Sequence, residues 1–243
     1  DMDNVDVVSI HSHIGSQIMD PQPFVAQAKR VMEIRAEIKN ETGVELETIN
    51  LGGGLGIPYE PNEEDLSPEK MAEAVSDAID ESLETQDLSR PDIILEPGRY
   101  IVGDSTLLLG RVGNVKEREE SPDWLSIDGG MNLLIRPSLY GSYHHIELSN
   151  KMNQEKTVTY NIAGPLCESG DYLGKGRELP VAEQGDLVAV YDTGAYGLAM
   201  ANQYNANPRP AMVMVKAGKA EIVREKEKCE DLTRLDRNPS WFE

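Results

Sequence analysis

Apolar positions in the first hundred residues alternate between short runs and helical spacing. Val5 to Ile10 is a short apolar run that predicts a strand, ending in His11-Ser12-His13-Ile14-Gly15-Ser16. Asp20-Pro21 then offers an N-cap and a first-turn proline, and Phe24, Ala28, Val31, Met32 and Ile38 recur at helical spacing until Gly43. Leu46 to Leu51 predicts a second strand, closing in Gly52-Gly53-Gly54-Leu55-Gly56, and 58–65 an acidic loop. Ser67-Pro68 starts a second helix, with Met71, Val75, Ala78, Ile79 and Leu83 on one face. Ile93 to Leu95 predicts a third strand, closing in Glu96-Pro97-Gly98-Arg99.

The unit strand, special loop, helix therefore recurs, with loops starting at His13, Gly52 and Glu96, 39 and 44 residues apart. Parallel strands need helical crossovers, and functional residues gather at their C-terminal ends. A complete eight-fold barrel of such units runs to about 250 residues, so three units are expected to be the C-terminal portion of one, with most of the barrel upstream. Asp1 leads at once into strand pattern, so the chain is expected to begin inside a domain and to carry no signal peptide. After about Leu109 the pattern changes to short strands separated by turns. The clearest are Trp124 to Ile127, Thr157 to Ala163, Leu187 to Tyr191, Ala211 to Val215 and Ala220 to Val223. The expected fold is thus α/β plus all-β: a partial (β/α)8 barrel over 1–108, then a β-barrel or sandwich over 109–243, with a charged tail from Glu225 expected to fray.

Composition narrows the class. Apolar and charged fractions of 39% and 27% are those of a globular protein, and no apolar run reaches membrane-spanning length. A net charge of −20 disfavours DNA, RNA and anionic lipid as partners, because binding a polyanion needs clustered cations. It fits either an ordinary acidic cytoplasmic enzyme or one adapted to high salt, where counterions screen the self-repulsion. Two cysteines, Cys167 and Cys229, suggest no disulfide framework and fit a reducing compartment.

The special loops carry the candidate chemistry. Glycines 52–54 permit either a tight turn or close backbone approach to an anion, and Ser16 offers that anion a hydroxyl. His11 and His13 share one side of an extended chain but lack a third ligand at metal-binding spacing, so no metal site is expected. An imidazole there serves as a hydrogen-bonded structural group or stacks on a ligand ring. Glu96 and Arg99 flank a bend as an ion pair or as an anion and cation for a ligand. Later, Cys167-Glu168 pairs a thiol with an acid in a turn-rich segment, and Tyr196 follows a strong strand.

Taken in order, these segments resemble a known family. His13 to Gln17, Asn50 to Gly56 and Glu96 to Arg99 are similar to barrel motifs of the alanine-racemase-like pyridoxal-phosphate decarboxylases. Gly129 to Asn132, Ile135-Arg136-Pro137, Leu139-Tyr140-Gly141, Cys167 to Asp171, Gly194 to Gly197 and Asn205 to Ala211 resemble the second domain of the diaminopimelate decarboxylases among them.

The resemblance implies pyridoxal 5'-phosphate as cofactor. His13 would stack on its ring. Ser16, Gly54, Pro97, Gly98, Arg99 and Tyr196 would surround it, and Glu96 would pair with the ring nitrogen. Arg99, Arg136, Tyr140, Glu168 and Tyr196 would bind substrate, and Cys167 would supply a proton. The implied assembly is a homodimer in which Cys167 and Glu168 reach the neighbouring subunit's site. The implied reaction is decarboxylation of meso-2,6-diaminopimelate to L-lysine, the last step of lysine biosynthesis, in the cytoplasm. Related decarboxylases of arginine, ornithine or carboxynorspermidine are the alternative, as is a catalytically dead regulatory homologue. The family's cofactor-binding lysine lies on an early barrel strand. Lys216, in Val213 to Ala217, mimics it only superficially, so these 243 residues alone are expected to be inactive and poorly soluble.

Overall fold

The computed structural model describes residues 3–242 and divides into two compact units, Asp1–Thr106 and Leu107–Glu243. The division falls two residues before the boundary expected from the change in strand pattern.

In the first unit, strands β1 (Ser9–His11), β2 (Thr48–Asn50) and β3 (Asp92–Ile94) form a parallel sheet in the order β1-β2-β3. Two helices make the crossovers, α1 (Gln22–Thr42) and α2 (Pro68–Thr85), and a short helix, α3 (Gly98–Val102), follows β3. The register sets Ile10, Ile49 and Ile93 in one row and His11, Asn50 and Ile94 in the next. Because side chains alternate across a sheet, the first row turns toward the helices and the second toward the opposite face. Ile49 and Leu51 are fully buried in the core they build with Phe24, Val31, Met32, Val75 and Ile79. The strands are shorter than expected: Val5, Val7 and Val8 lie outside β1 and are exposed, and the apolar residues of edge strand β3 stay partly open.

The helix ends follow the signals in the sequence. The Ser67 hydroxyl accepts from the Lys70 amide at 3.2 Å ahead of Pro68, and Gly43 closes α1 in the left-handed region at φ 73°. Asp20 accepts from the Gln22 amide at 2.9 Å, although the capping position itself is Pro21. One member of the buried face of α1 is unexpected. Arg35 is fully buried, donating to the carbonyls of Leu46 and Ser89 at 2.6 Å each and to Glu45 at 3.2 Å. It staples α1 to the residues leading into β2 and β3. Burial lowers its pKa, against the pull of Glu45.

The second unit is mostly strand: β4 (Leu108–Lys116), β5 (Asp123–Ile127), β6 (Ile146–Leu148), β7 (Val158–Ala163), β8 (Tyr172–Leu179) and β9 (Leu187–Val190). They join in the order β6-β9-β4-β5-β7-β8, antiparallel except for the parallel pair β5/β7. The edge strands approach each other, with Ile146 of β6 pressed against Gly174 of β8, so the sheet curls like a barrel around Val112, Leu125, Ile127, Ile162, Leu173, Val188 and Val190. A short helix, α4 (Arg136–Tyr140), precedes β6; a separate hairpin pairs β10 (Met212–Lys216) with β11 (Lys219–Arg224). The charged tail contains one more turn of helix, α5 (Cys229–Thr233), where fraying was expected; the acidic Glu230 and Asp231 in its first turn suit a helix N-terminus.

Candidate functional site

In the first unit the expected residues converge at the C-terminal ends of the strands. The loops after β1, β2 and β3 interlock through backbone bonds: Ser12 N donates to Asn50 O at 3.0 Å, Leu51 N to Ile94 O at 3.0 Å and Glu96 N to Gly52 O at 2.8 Å. The glycines make this possible. A methyl group on Gly53 would collide with the Glu96 carbonyl, and one on Gly54 (φ 110°) would stand 2.6 Å from the Gly15 carbonyl. Two of the loop amides expected to face an anion are used internally, Gly52 N to Asn50 Oδ1 at 2.8 Å and Gly53 N to His13 Nδ1 at 3.2 Å. His13 therefore accepts at Nδ1. It lies beyond the end of β1, in the loop, while His11 is the strand's last residue.

Glu96 opens the third loop. Asn50 Nδ2 donates to its Oε1 at 2.7 Å, and His11 Nε2 stands 3.9 Å from the same oxygen. The carboxylate remains half-exposed. One turn on, Arg99 donates to the Ser16 hydroxyl at 2.9 Å and to the Tyr59 hydroxyl at 2.6 Å, with its guanidinium 5.7 Å from the Tyr59 ring centre. At Gly15 and Gly98, between these groups, an added methyl would meet nothing within 4 Å. The strand ends thus present a carboxylate, an imidazole, a hydroxyl and a guanidinium around open space. This is a donor set that fits an aromatic ring bearing a basic nitrogen and a phosphate.

The second unit holds the other group. Arg136, buried on α4, donates from Nη1 to His144 Nε2 at 2.7 Å, and His144 Nδ1 lies 2.8 Å from the Tyr191 carbonyl. Arginine only donates and a carbonyl only accepts, so His144 carries its proton on Nδ1 and is neutral. Cys167 is exposed, and Glu168 accepts from the Tyr204 hydroxyl at 3.2 Å. That hydrogen bond, reinforced by the Glu168 charge, partial burial and nearby Cys167, raises the Tyr204 pKa and keeps the phenol a donor. Asn205 and Ala206, just after it, both adopt left-handed backbone (φ 54° and 57°), strain of the kind that collects at functional sites. Asp171 clamps the turn: its carboxylate accepts from Met131 N at 2.7 Å and Leu166 N at 2.6 Å. Tyr140 is exposed, and Tyr196 is half-exposed at φ 60°.

Five neighbours of the expected residues went unread in the sequence: Asn50, Tyr59, His144, Asp171 and Tyr204. Asn50 and Asp171 lie inside the recognised motifs without a role of their own. Tyr59 and Tyr204 lie in loops with no periodic signal. Among the described residues, no three His, Cys, Asp or Glu side chains are placed to hold a metal, and no helix is long and apolar enough to cross a membrane.

Residues 1–103, the stretch that holds the donor set just described, match a family described as pyridoxal-dependent decarboxylase, pyridoxal binding domain. The first unit thus carries the pyridoxal-binding domain of the pyridoxal-dependent decarboxylases. Within them the chain is similar to diaminopimelate decarboxylases: 44% identical over 233 residues to that of Methanothermobacter thermautotrophicus, covering 96% of this chain and 54% of the relative, and 45% identical over 241 residues to that of Archaeoglobus fulgidus, covering 99% and 56%. The crystal structure of the Methanocaldococcus jannaschii diaminopimelate decarboxylase in complex with L-lysine has a TM-score of 0.91 and 40% identity, covering 100% of this chain and 54% of that one. The chain thus spans about half the length of the relatives it matches, and its partial barrel and sheet domain follow theirs.

Proposed function

We propose that a polypeptide of the relatives' full length carrying this segment decarboxylates meso-2,6-diaminopimelate to L-lysine and CO₂. The observation that carries the reading is Glu96, an oriented, solvent-facing carboxylate set among His13, Ser16 and Arg99 at the strand ends of a pyridoxal-binding domain. When bound, pyridoxal phosphate supplies a protonated ring that accepts the electron pair left as CO₂ departs.

The chain's own residues do the rest. Glu96 would hold the proton on the ring nitrogen, His13 would stack on the ring, and Ser16, Gly54, Pro97, Gly98, Arg99 and Tyr196 would hold the rest of the cofactor. Diaminopimelate carries ammonium and carboxylate at both ends, so binding its far end needs a cation and an anion, here Arg136 and Glu168, with Arg99, Tyr140 and Tyr196 completing the contacts. The C–C bond to the departing carboxylate breaks, and the Cys167 thiol gives its proton to the same carbon. The resulting thiolate is reprotonated by solvent. The proposal includes a cytoplasmic homodimer in which Cys167 and Glu168 serve the neighbouring subunit, as the family resemblance implies. Among described residues 3–106 the lysines are Lys29, Lys39 and Lys70, all on helices and none at a strand end, so the chain by itself is proposed to be inactive.

Labelled CO₂ release from diaminopimelate, arginine, ornithine and carboxynorspermidine tests the reading. Release from diaminopimelate supports it. Preference for a substrate without a distal carboxylate would transfer the assignment to a related decarboxylase, and release from none would leave a catalytically dead homologue.

A further inference from the structure

The geometry points to Asn50 as a positioning residue for Glu96, an inference that rests on the decarboxylase reading. Asn50 ends β2 in the row shared with His11 and Ile94, on the sheet face opposite the helices. Its side chain makes two bonds whose directions leave no ambiguity. The Gly52 amide can only donate, so it is met by Oδ1, at 2.8 Å; the Glu96 carboxylate accepts, so it is met by Nδ2, at 2.7 Å. One amide thereby joins the glycine loop to the acid, and the Glu96 amide closes the link in return by donating to the Gly52 carbonyl at 2.8 Å. With Oε1 committed to Asn50, Oε2 is the oxygen left for a ligand.

The residue type suits the task. A carboxylate that must hold a proton on a ring nitrogen has to be held in place. A hydrogen bond from a neutral donor fixes the carboxylate's orientation without adding a charge that would compete for it. A lysine or arginine in that position would pair with Glu96 and weaken its hold on the ring proton. An aspartate would repel it. His11, 3.9 Å from the same oxygen, is too distant for a hydrogen bond and does not substitute for Asn50.

The test uses the full-length holoenzyme with Asn50→Asp, which keeps an oxygen for the Gly52 amide, removes the donor to Glu96 and sets a like charge against it. Loss of a hydrogen bond to a charged group corresponds to about tenfold, so kcat for diaminopimelate is expected to fall at least about tenfold with KM within about twofold. The thermal midpoint is expected to fall as well. It should recover in Asn50→Asp/Glu96→Gln, where the new amide at position 96 donates to the new carboxylate at position 50. Parental kcat in Asn50→Asp, or a double variant whose midpoint is merely the sum of the single losses, overturns the role of Asn50 alone. A parent enzyme that releases no CO₂ from diaminopimelate overturns the decarboxylase reading and this role with it.

Discussion

The Cys167-Glu168 turn depends on one buried carboxylate, and removing a single charge there tests the whole arrangement. Asp171 is 5% exposed; one oxygen accepts from Met131 N at 2.7 Å and the other from Leu166 N at 2.6 Å. Asp171→Asn keeps the shape but leaves one oxygen, so in either rotamer a side-chain NH₂ faces a backbone N–H. One charge-assisted bond is lost and a buried donor is left unmatched, at about 2–3 kcal/mol. The side chain has little room to escape, because Gly130 and Gly164 pack so closely on the carboxylate that neither position has space for a methyl group. For a protein of this size such a loss lowers the thermal midpoint by roughly 5–10 °C. Urea unfolding followed by the fluorescence of Trp124 on β5, in a Trp241→Phe background, measures it within the second unit. Exposed Asp236→Asn controls for charge. A change below about 0.5 kcal/mol would refute the clamp. If the clamp is real, the holoenzyme should also lose kcat, since the turn bearing Cys167 lies between Leu166 and Asp171.

Three further outcomes are expected. Tyr204→Phe removes the donor to Glu168 and should raise KM for diaminopimelate about three- to tenfold with little change in kcat; steady-state kinetics decide, and an additive effect on top of Glu168→Ala would count against a shared role. Glu45 is held at a pKa of about 2, first by the Ser89 hydroxyl and amide and then by Lys39, and Glu227 at about 2 by Arg209 and Gln203. Folded pKa values below the unfolded 4.5 mean that this stabilisation is complete above pH 4.5 and lost as pH falls toward 2; thermal midpoints between pH 6 and 2 should drop less steeply in Glu45→Gln, and identical slopes would show that Glu45 contributes nothing. With a net charge of −20, stability should rise between low and molar salt, read by the urea midpoint, and a flat response removes the high-salt interpretation.

What the sequence determined by itself was local or periodic. Helical spacing from Phe24 to Met32 and from Met71 to Leu83, Ser67 and Gly43 at helix ends, and the three loops at His13, Gly52 and Glu96 required no knowledge of distant residues. Motif order was enough to propose the site residues. Tertiary structure decided the partners. Asn50 with Glu96, Tyr59 with Arg99 and Tyr204 with Glu168 are 46, 40 and 36 residues apart, and only the fold brings them into hydrogen-bond reach. The same holds for Arg35, whose place on the apolar face of α1 makes sense only once the carbonyls of Leu46 and Ser89 are there to receive it. Periodicity reports which face of an element is buried; it carries no information about the polar group waiting on the other side, because that group belongs to a different part of the chain.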